Sequence, residues 1–190
     1  NKISFKNFMA YYGELNFSFP IEKDKNVSII YAPNDVGKSC FFKGINFALY
    51  GRDRGQFLKD LININALKNR EFEAYVSIFG KHNGNNIQIT RSIKPRSYIV
   101  KEPQKNDFKS ELEIFENQKA VVGDNYQEKY NYINSIVHED ASKYFFFDGE
   151  KIEAYNIASK TEYKEPITRI LGIKEIENAK SDFNRLASEY

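Results

Sequence analysis

Residues 27–39, VSIIYAPNDVGKS, decide the fold. Val27, Ile29 and Ile30 form a short apolar, β-branched run that predicts a buried central strand, and the run leads into a loop ending Gly37-Lys38-Ser39. In a loop of this kind the Lys reaches the β/γ-phosphates of a nucleotide, the Ser hydroxyl ligates Mg²⁺, and backbone N–H groups surround the phosphate oxygens. The tripeptide alone says little, because residue usage gives Gly-Lys-(Ser or Thr) in roughly one chain of this length in ten. Its setting says more. Cys40, Phe41, Ile45, Ala48 and Leu49 follow at helical spacing and complete the strand–loop–helix unit that the chemistry needs.

The loop departs from the usual pattern twice. Ala32 stands where the pattern opens with Gly, and Asp35 occupies a position that often carries another Gly. Ala adds only a methyl, and Asp enters left-handed backbone geometry at modest cost. The Asp35 carboxylate must nevertheless point away from the phosphates, so weakened nucleotide affinity is an expected consequence.

Composition bounds the rest. A chain of 190 residues with 41% hydrophobic content buries a real core and fits one domain, with or without an appendage. Its net charge of +2 gives no global signal for nucleic acid, so any basic surface has to be local. A single Cys, Cys40, excludes an internal disulfide framework and reads as a packed helix residue in a reducing compartment. His82 and His138 show no metal-ligand spacing. No apolar run approaches the ~20 residues of a membrane span, and the expected location is the cytoplasm. The chain does not begin with Met and stops within a helical pattern, which reads as trimming at both ends.

Alternation of Ile3, Phe5 and Phe8, then of Leu15, Phe17 and Phe19, predicts a hairpin around AYYGE. Gly51 closes the phosphate-loop helix, and residues 57–70 carry no decisive pattern. Phe72, Ala74, Val76 and Ile78 alternate, GKHNGN turns, and Ile87, Ile89 and Ile93 alternate back: a second hairpin. Residues 94–107 carry two prolines and four basic side chains and read as an excursion, followed by a strand near Leu112–Phe115. Tyr126, Tyr130, Ile133 and Val137 share one face of a predicted helix. Tyr144–Phe147 predicts a short aromatic strand ending in Asp148-Gly149-Glu150, with Glu150 read as helix N-terminal complementarity against the alternative of a catalytic base. Pro166 opens a short helix that stops near Gly172, and Ile176, Ala179, Phe183, Leu186 and Tyr190 then form a two-heptad seam, consistent with either an amphipathic helix or the start of a coiled coil.

Several segments together resemble the N-terminal half of an SMC-like ATPase head, a group that includes chromosome-structure proteins, RecF and the ATPase partner of the double-strand-break repair nuclease. They are KISFKNFMAYYGELNFSF, APNDVGKS, FFKGINFALYG and the hairpin ending QITRSI. KYFFFDGEKI, with YYGE near the start, resembles the narrower DndD family of phosphorothioation-linked restriction and related antiphage ATPases. The resemblance implies an α/β P-loop fold, a mixed sheet with antiparallel hairpins around the phosphate-loop helix, with residues 1–172 as the head lobe and 173–190 as the start of a coiled-coil arm. It implies ATP and Mg²⁺ as cofactors, and as partners the protein's own C-terminal lobe, a second head, DNA and a nuclease or other defence or repair subunit, with no membrane. The signature Ser-Gly-Gly loop and the acidic strand of such heads are absent from this sequence, so hydrolysis is expected only with the other lobe.

Residue by residue, the match assigns phosphate contact to Ala32, Pro33, Asn34, Asp35, Val36, Gly37, Lys38, Ser39 and Cys40, with Lys38 neutralising charge and Ser39 holding Mg²⁺. Asp148 stands where the repair branch places a Gln that touches Mg²⁺ and the attacking water; the alternative is a turn-forming Asp-Gly pair. Met9 stands where many relatives carry a basic residue near the nucleotide. Arg52, Arg54 and Lys59 in one loop, and Lys94, Arg96, Lys101 and Lys105 in another, are candidates for DNA-backbone contact, against the alternative of solvated surface charge. Two other functions fit the chain less well: a scaffold that binds nucleotide without hydrolysis, and a small metabolite kinase.

Overall fold

The computed structural model describes residues 1–20, 22, 24, 27–33, 36–51, 55–121, 123, 125–146, 180 and 183–185. Its backbone divides into two compact units, Asn1–Ile133 and Asn134–Tyr190. The first is built on a six-stranded sheet of order β2-β1-β3-β4-β5-β6. The strands are β1 (Lys2–Phe8), β2 (Tyr11–Ser18), β3 (Ala74–His82), β4 (Asn85–Pro95), β5 (Phe108–Glu116) and β6 (Lys119–Ala120), and every pairing among them is antiparallel. Both predicted hairpins are present. The β3–β4 turn is Asn83-Gly84, with φ of 49° and 83°, the paired left-handed geometry that a two-residue hairpin loop requires.

One face of the sheet is apolar and carries α1 (Lys38–Tyr50) over β3 and β4. Ile3 and Phe5 of β1, Val76 of β3, Ile89 and Ile93 of β4 and Leu112 and Ile114 of β5 are buried beneath Phe41, Ile45, Ala48 and Leu49 of the helix. Phe5 is the hub. Its ring centroid lies 4.9 Å from Tyr11, 5.7 Å from Phe41, 5.9 Å from Phe17 and 6.1 Å from Phe8. Full burial of such a ring stabilises by about 1.5–3 kcal/mol, so this cluster is a principal reason the helix lies where it does. The opposite face presents Ser4, Asn16, Ser77 and Thr90, joined by hydrogen bonds of 2.6 Å (Ser4 to Asn16) and 2.8 Å (between Ser77 and Thr90).

The stretch 57–70, undecided by pattern, becomes a 3-10 helix (Leu58–Leu61) and α2 (Ile64–Lys68), capped by Asn63 through its side-chain oxygen to the Asn65 and Ala66 N–H groups. It is tied to a bulge in β1. Asn7 there has φ 49° and is buried, with its amide oxygen accepting from the Gly13 N–H (2.9 Å) and its amide nitrogen donating to Glu71 (3.1 Å).

Two predicted strands are corrected. Residues 27–33 adopt no regular secondary structure, and Val27, Ile29 and Tyr31 are 76, 87 and 95% exposed, so VSIIY is not a buried strand here. No strand among the described residues pairs with it, and the six-stranded ladder does not include it. The aromatic run beginning at Tyr144 belongs, through Phe145, to α4 (Glu139–Phe145) rather than to a strand. His138 caps that helix, its ring nitrogen accepting from the Asp140 N–H at 3.2 Å, and Glu139 and Asp140 complement the first turn. α3 (Tyr126–Ile136) matches its prediction, with Ile133 buried. The heptad seam, the Pro166 helix and the arm starting at residue 173 lie almost wholly outside the described residues. Among the described residues no helix is long and apolar enough to cross a membrane.

Candidate nucleotide site

Helix α1 opens at Gly37, whose φ of 105° and ψ of 19° turn the loop into the helix. No side chain caps it, and no acid sits in its first turn. The Phe41 N–H closes the first helical bond to the Gly37 carbonyl at 3.2 Å, so the N–H groups of Lys38, Ser39 and Cys40 precede any intrahelical acceptor. These amides and the positive end of the helix dipole form a seat for an anion.

The first hairpin supports this seat from below. The Tyr11 hydroxyl donates to the Gly37 carbonyl at 2.8 Å, while its ring packs on Phe5. A side chain at position 37 would place its Cβ 2.9 Å from the Ala10 Cβ and 3.2 Å from the Tyr11 ring, so both space and backbone angle require Gly there. Burial, with Cys40 beside it, pushes the Tyr11 phenol up to about 12. Tyr11 therefore stays a neutral donor throughout the physiological range.

Lys38 folds back over the loop, its Nζ donating to the carbonyls of Ala32 and Pro33 at 2.7 Å each. The cation is thus held at the mouth of the loop by backbone oxygens. Position 32 serves through its carbonyl, which an Ala supplies as well as a Gly. Ser39 is exposed on the same turn, Cys40 is half-buried and Val36 is 50% exposed. Asn34 and Asp35 lie outside the described residues, as do Asp148 and Glu150.

The residues present fit a nucleotide triphosphate: an uncapped helix N-terminus, a Gly in left-handed geometry, a flexible cation across the loop, and no carboxylate in the first turn to repel phosphate. Mg²⁺ at such sites keeps several waters and takes phosphate oxygens plus one or two protein ligands, for which the Ser39 hydroxyl is suited. Among the described residues no cluster of three His, Cys, Asp or Glu side chains could hold a metal alone.

Pattern reading passed over Arg91. It is buried on β4, with Nε donating to the Ala48 carbonyl (3.3 Å) and Nη2 to the Leu49 carbonyl (3.1 Å) at the far end of α1. Burial pulls its guanidinium down from the usual range, and Tyr126 beside it opposes that shift. A signal did exist: Arg91 occupies the inward register between Ile89 and Ile93, where an apolar residue is expected.

The remaining candidates are dispersed. Met9 takes φ 48°, and its N–H and carbonyl engage Leu61 (2.8 Å) and Asn63 (2.7 Å), so its backbone serves the junction between the β1–β2 turn and the 58–68 stretch. Lys94 pairs with Glu111 at 2.8 Å, Arg96 donates to the Phe108 carbonyl at 3.0 Å, and Lys105 lies 4.2 Å above the Phe57 ring. Arg70 reaches the same excursion, donating to the Ile99 carbonyl. Lys101 is exposed, Lys59 is half-buried in the 3-10 helix, and Arg52 and Arg54 lie outside the described residues.

A protein-family model described as AAA domain matches residues 2–190, nearly the entire chain. No curated protein matches it.

Proposed function

The chain belongs to the AAA-domain family of P-loop nucleotide-binding ATPases, and from that premise we propose that it is the ATP-binding lobe of an SMC-like ATPase whose head is completed by a second lobe. One observation carries this reading. The five residues that lead into the phosphate loop, VSIIY, expose Val27, Ile29, Ile30 and Tyr31 at 76, 87, 42 and 95%. Covering an aliphatic side chain of this size is worth about 1.5–3 kcal/mol, so an uncovered run beside a nucleotide seat calls for a missing neighbour. An acidic strand laid against VSIIY would supply that cover and bring carboxylates to the phosphates at once. The 190 residues hold no Ser-Gly-Gly and no four-residue apolar run ending in two acids, which agrees with those parts coming from elsewhere.

In this reading Lys38 exchanges the Ala32 and Pro33 carbonyls for phosphate oxygens, and the first-turn amides of α1 orient the same phosphates. Mg²⁺, when bound, supplies neutralisation of charge on the transferred group. Tyr11 keeps the loop seated by its bond to Gly37. Binding energy of this kind favours one of two states of the head, and two heads closed on ATP would engage DNA or license a partner nuclease. The likeness of KYFFFDGEKI to the DndD family favours defence or repair as the setting.

The test compares MgATP turnover and binding by the native full-length protein, its Lys38→Ala variant and residues 1–190. The full protein is expected to hydrolyse ATP, Lys38→Ala to lose binding, and residues 1–190 to show no turnover above background. Robust turnover by residues 1–190 that disappears in Lys38→Ala would refute the split head.

A further inference from the structure

The phosphate seat lies on one end of α1, and the opposite end of that helix is held by a buried cation from the sheet. Helix α1 has no basic residue in its last turn, so the Arg91 guanidinium, 2% exposed, supplies from another element the positive charge that helix carbonyls attract. An apolar residue continuing the Ile87, Ile89, Ile93 series would fill the space without the cost of burying a charge. Packing alone therefore does not explain Arg91, whereas its bonds to the Ala48 and Leu49 carbonyls do. Gly51, with φ 92°, leaves the chain room to turn away beside the guanidinium.

Midway along the helix is a fixed contact. Gly44 is the central residue of the thirteen in α1, and a Cβ built on it would fall 2.3 Å from Phe5 Cε1. Each arm beyond this contact runs about 9 Å at a rise of ~1.5 Å per residue. A rigid rod bearing on its middle moves its ends in opposite senses, so a displacement of about 1 Å at Leu49 returns as about 1 Å at Lys38. Misplacement of that size can cost about a hundredfold at a reacting group. The guanidinium is also shared: its Cζ stands 5.8 Å from the centroid of the Tyr126 ring, in the first turn of α3.

We propose that Arg91 is a positioning residue for the phosphate loop, acting through α1 as a lever on Phe5, and that its place over the Tyr126 ring couples the phosphate seat to the start of α3. The proposal rests on reading the Lys38 loop as a nucleotide site.

The experiment measures MgATP affinity by calorimetry for the full-length protein and its Arg91→Met, Arg91→Lys, Tyr126→Leu and Lys38→Ala variants, at a temperature where circular dichroism shows each folded, alongside thermal midpoints. Arg91→Met is expected to weaken binding about three- to thirtyfold, with partial recovery in Arg91→Lys and a loss of about threefold in Tyr126→Leu, which removes the ring. A lowered midpoint in Arg91→Met with parental affinity would make Arg91 a stability residue only and overturn the proposal. Should Arg91→Met fail to fold, parental affinity in both Arg91→Lys and Tyr126→Leu would overturn it equally. Binding that Lys38→Ala leaves intact would overturn the nucleotide-site reading and this proposal with it; binding that depends on Lys38 yet ignores Arg91 and Tyr126 would overturn this proposal alone.

Discussion

Replacing Gly44 by Ala adds one methyl group, and the structure directs that methyl into the ring of Phe5. In an open helix interior the change would stabilise by about 1 kcal/mol, since Ala orders more cheaply than Gly. Here the new Cβ would sit 2.3 Å from Phe5 Cε1, 3.2 Å from Cζ and 3.3 Å from Cδ1. The ring cannot swing aside, because Phe5 is fully buried and surrounded by Phe8, Tyr11, Phe17 and Phe41. Overpacking of this kind costs about 1–3 kcal/mol, and a contact so short belongs at the upper end, leaving a net loss of about 1–2 kcal/mol. For a unit of this size that lowers the thermal midpoint by about 3–8 °C. Calorimetric melting of Gly44→Ala, Phe5→Leu and the double variant forms the assay. The pair should couple, the double variant losing less than the sum of the singles because Leu vacates the space the methyl needs. A Gly44→Ala variant more stable than the parent, or strict additivity with Phe5→Leu, would refute the close approach of α1 to β1.

Asp148→Asn in the full-length protein should lower kcat at least about tenfold, or ~1.4 kcal/mol, if its carboxylate helps hold Mg²⁺ or the attacking water; parental turnover across a Mg²⁺ titration would leave Asp148 a turn residue. Tyr11 gives a pH signature. Its phenol titrates near 12 in the folded state against an ordinary value of 10, so its contribution to stability is present below pH 10 and is lost as pH rises from 10 towards 12. Tyr75, also raised to about 12 by burial and by Glu14, adds a parallel loss, so the difference in urea midpoint between parent and Tyr11→Phe isolates the Tyr11 component. Two curves that fall in parallel from pH 10 to 12 would contradict the half-buried donor to Gly37.

Both hairpins and α1 were legible because each pattern had a partner inside the chain: Phe5 meets Phe41, and Ile89 and Ile93 share the face beneath α1 with Ala74 and Val76. Where the partner lies elsewhere, the same apolar signal misled. Val27, Ile29 and Ile30 carry strand chemistry but pair with none of the described strands, so period alone could not tell a buried run from an exposed one. The aromatic run at Tyr144 was read by β-propensity, which the His138 cap and the acids of the first turn outweigh through Phe145. At the site, Gly37, Lys38 and Ser39 were visible as a motif, while Tyr11 and Arg91 were not. Both act on α1 from strands far away in sequence, Tyr11 through the Gly37 carbonyl and Arg91 through Ala48 and Leu49, and no local spacing records such contacts.

The uncovered VSIIY run has a consequence for biosynthesis. If its cover is a later part of the same polypeptide, the run emerges from the ribosome long before that cover exists. At about 5–20 residues per second, a chain with several hundred residues still to come leaves it waiting for tens of seconds. During that interval a β-branched, apolar, uncharged pentapeptide is a template for pairing with other nascent chains. The sequence sets charge directly against it: Glu22, Lys23, Asp24 and Lys25 stand just upstream, in the manner of gatekeepers that discourage aggregation without altering the finished fold. Neutralising that quartet should leave the mature protein's nucleotide binding untouched and reduce its yield, with the burden falling on chaperones.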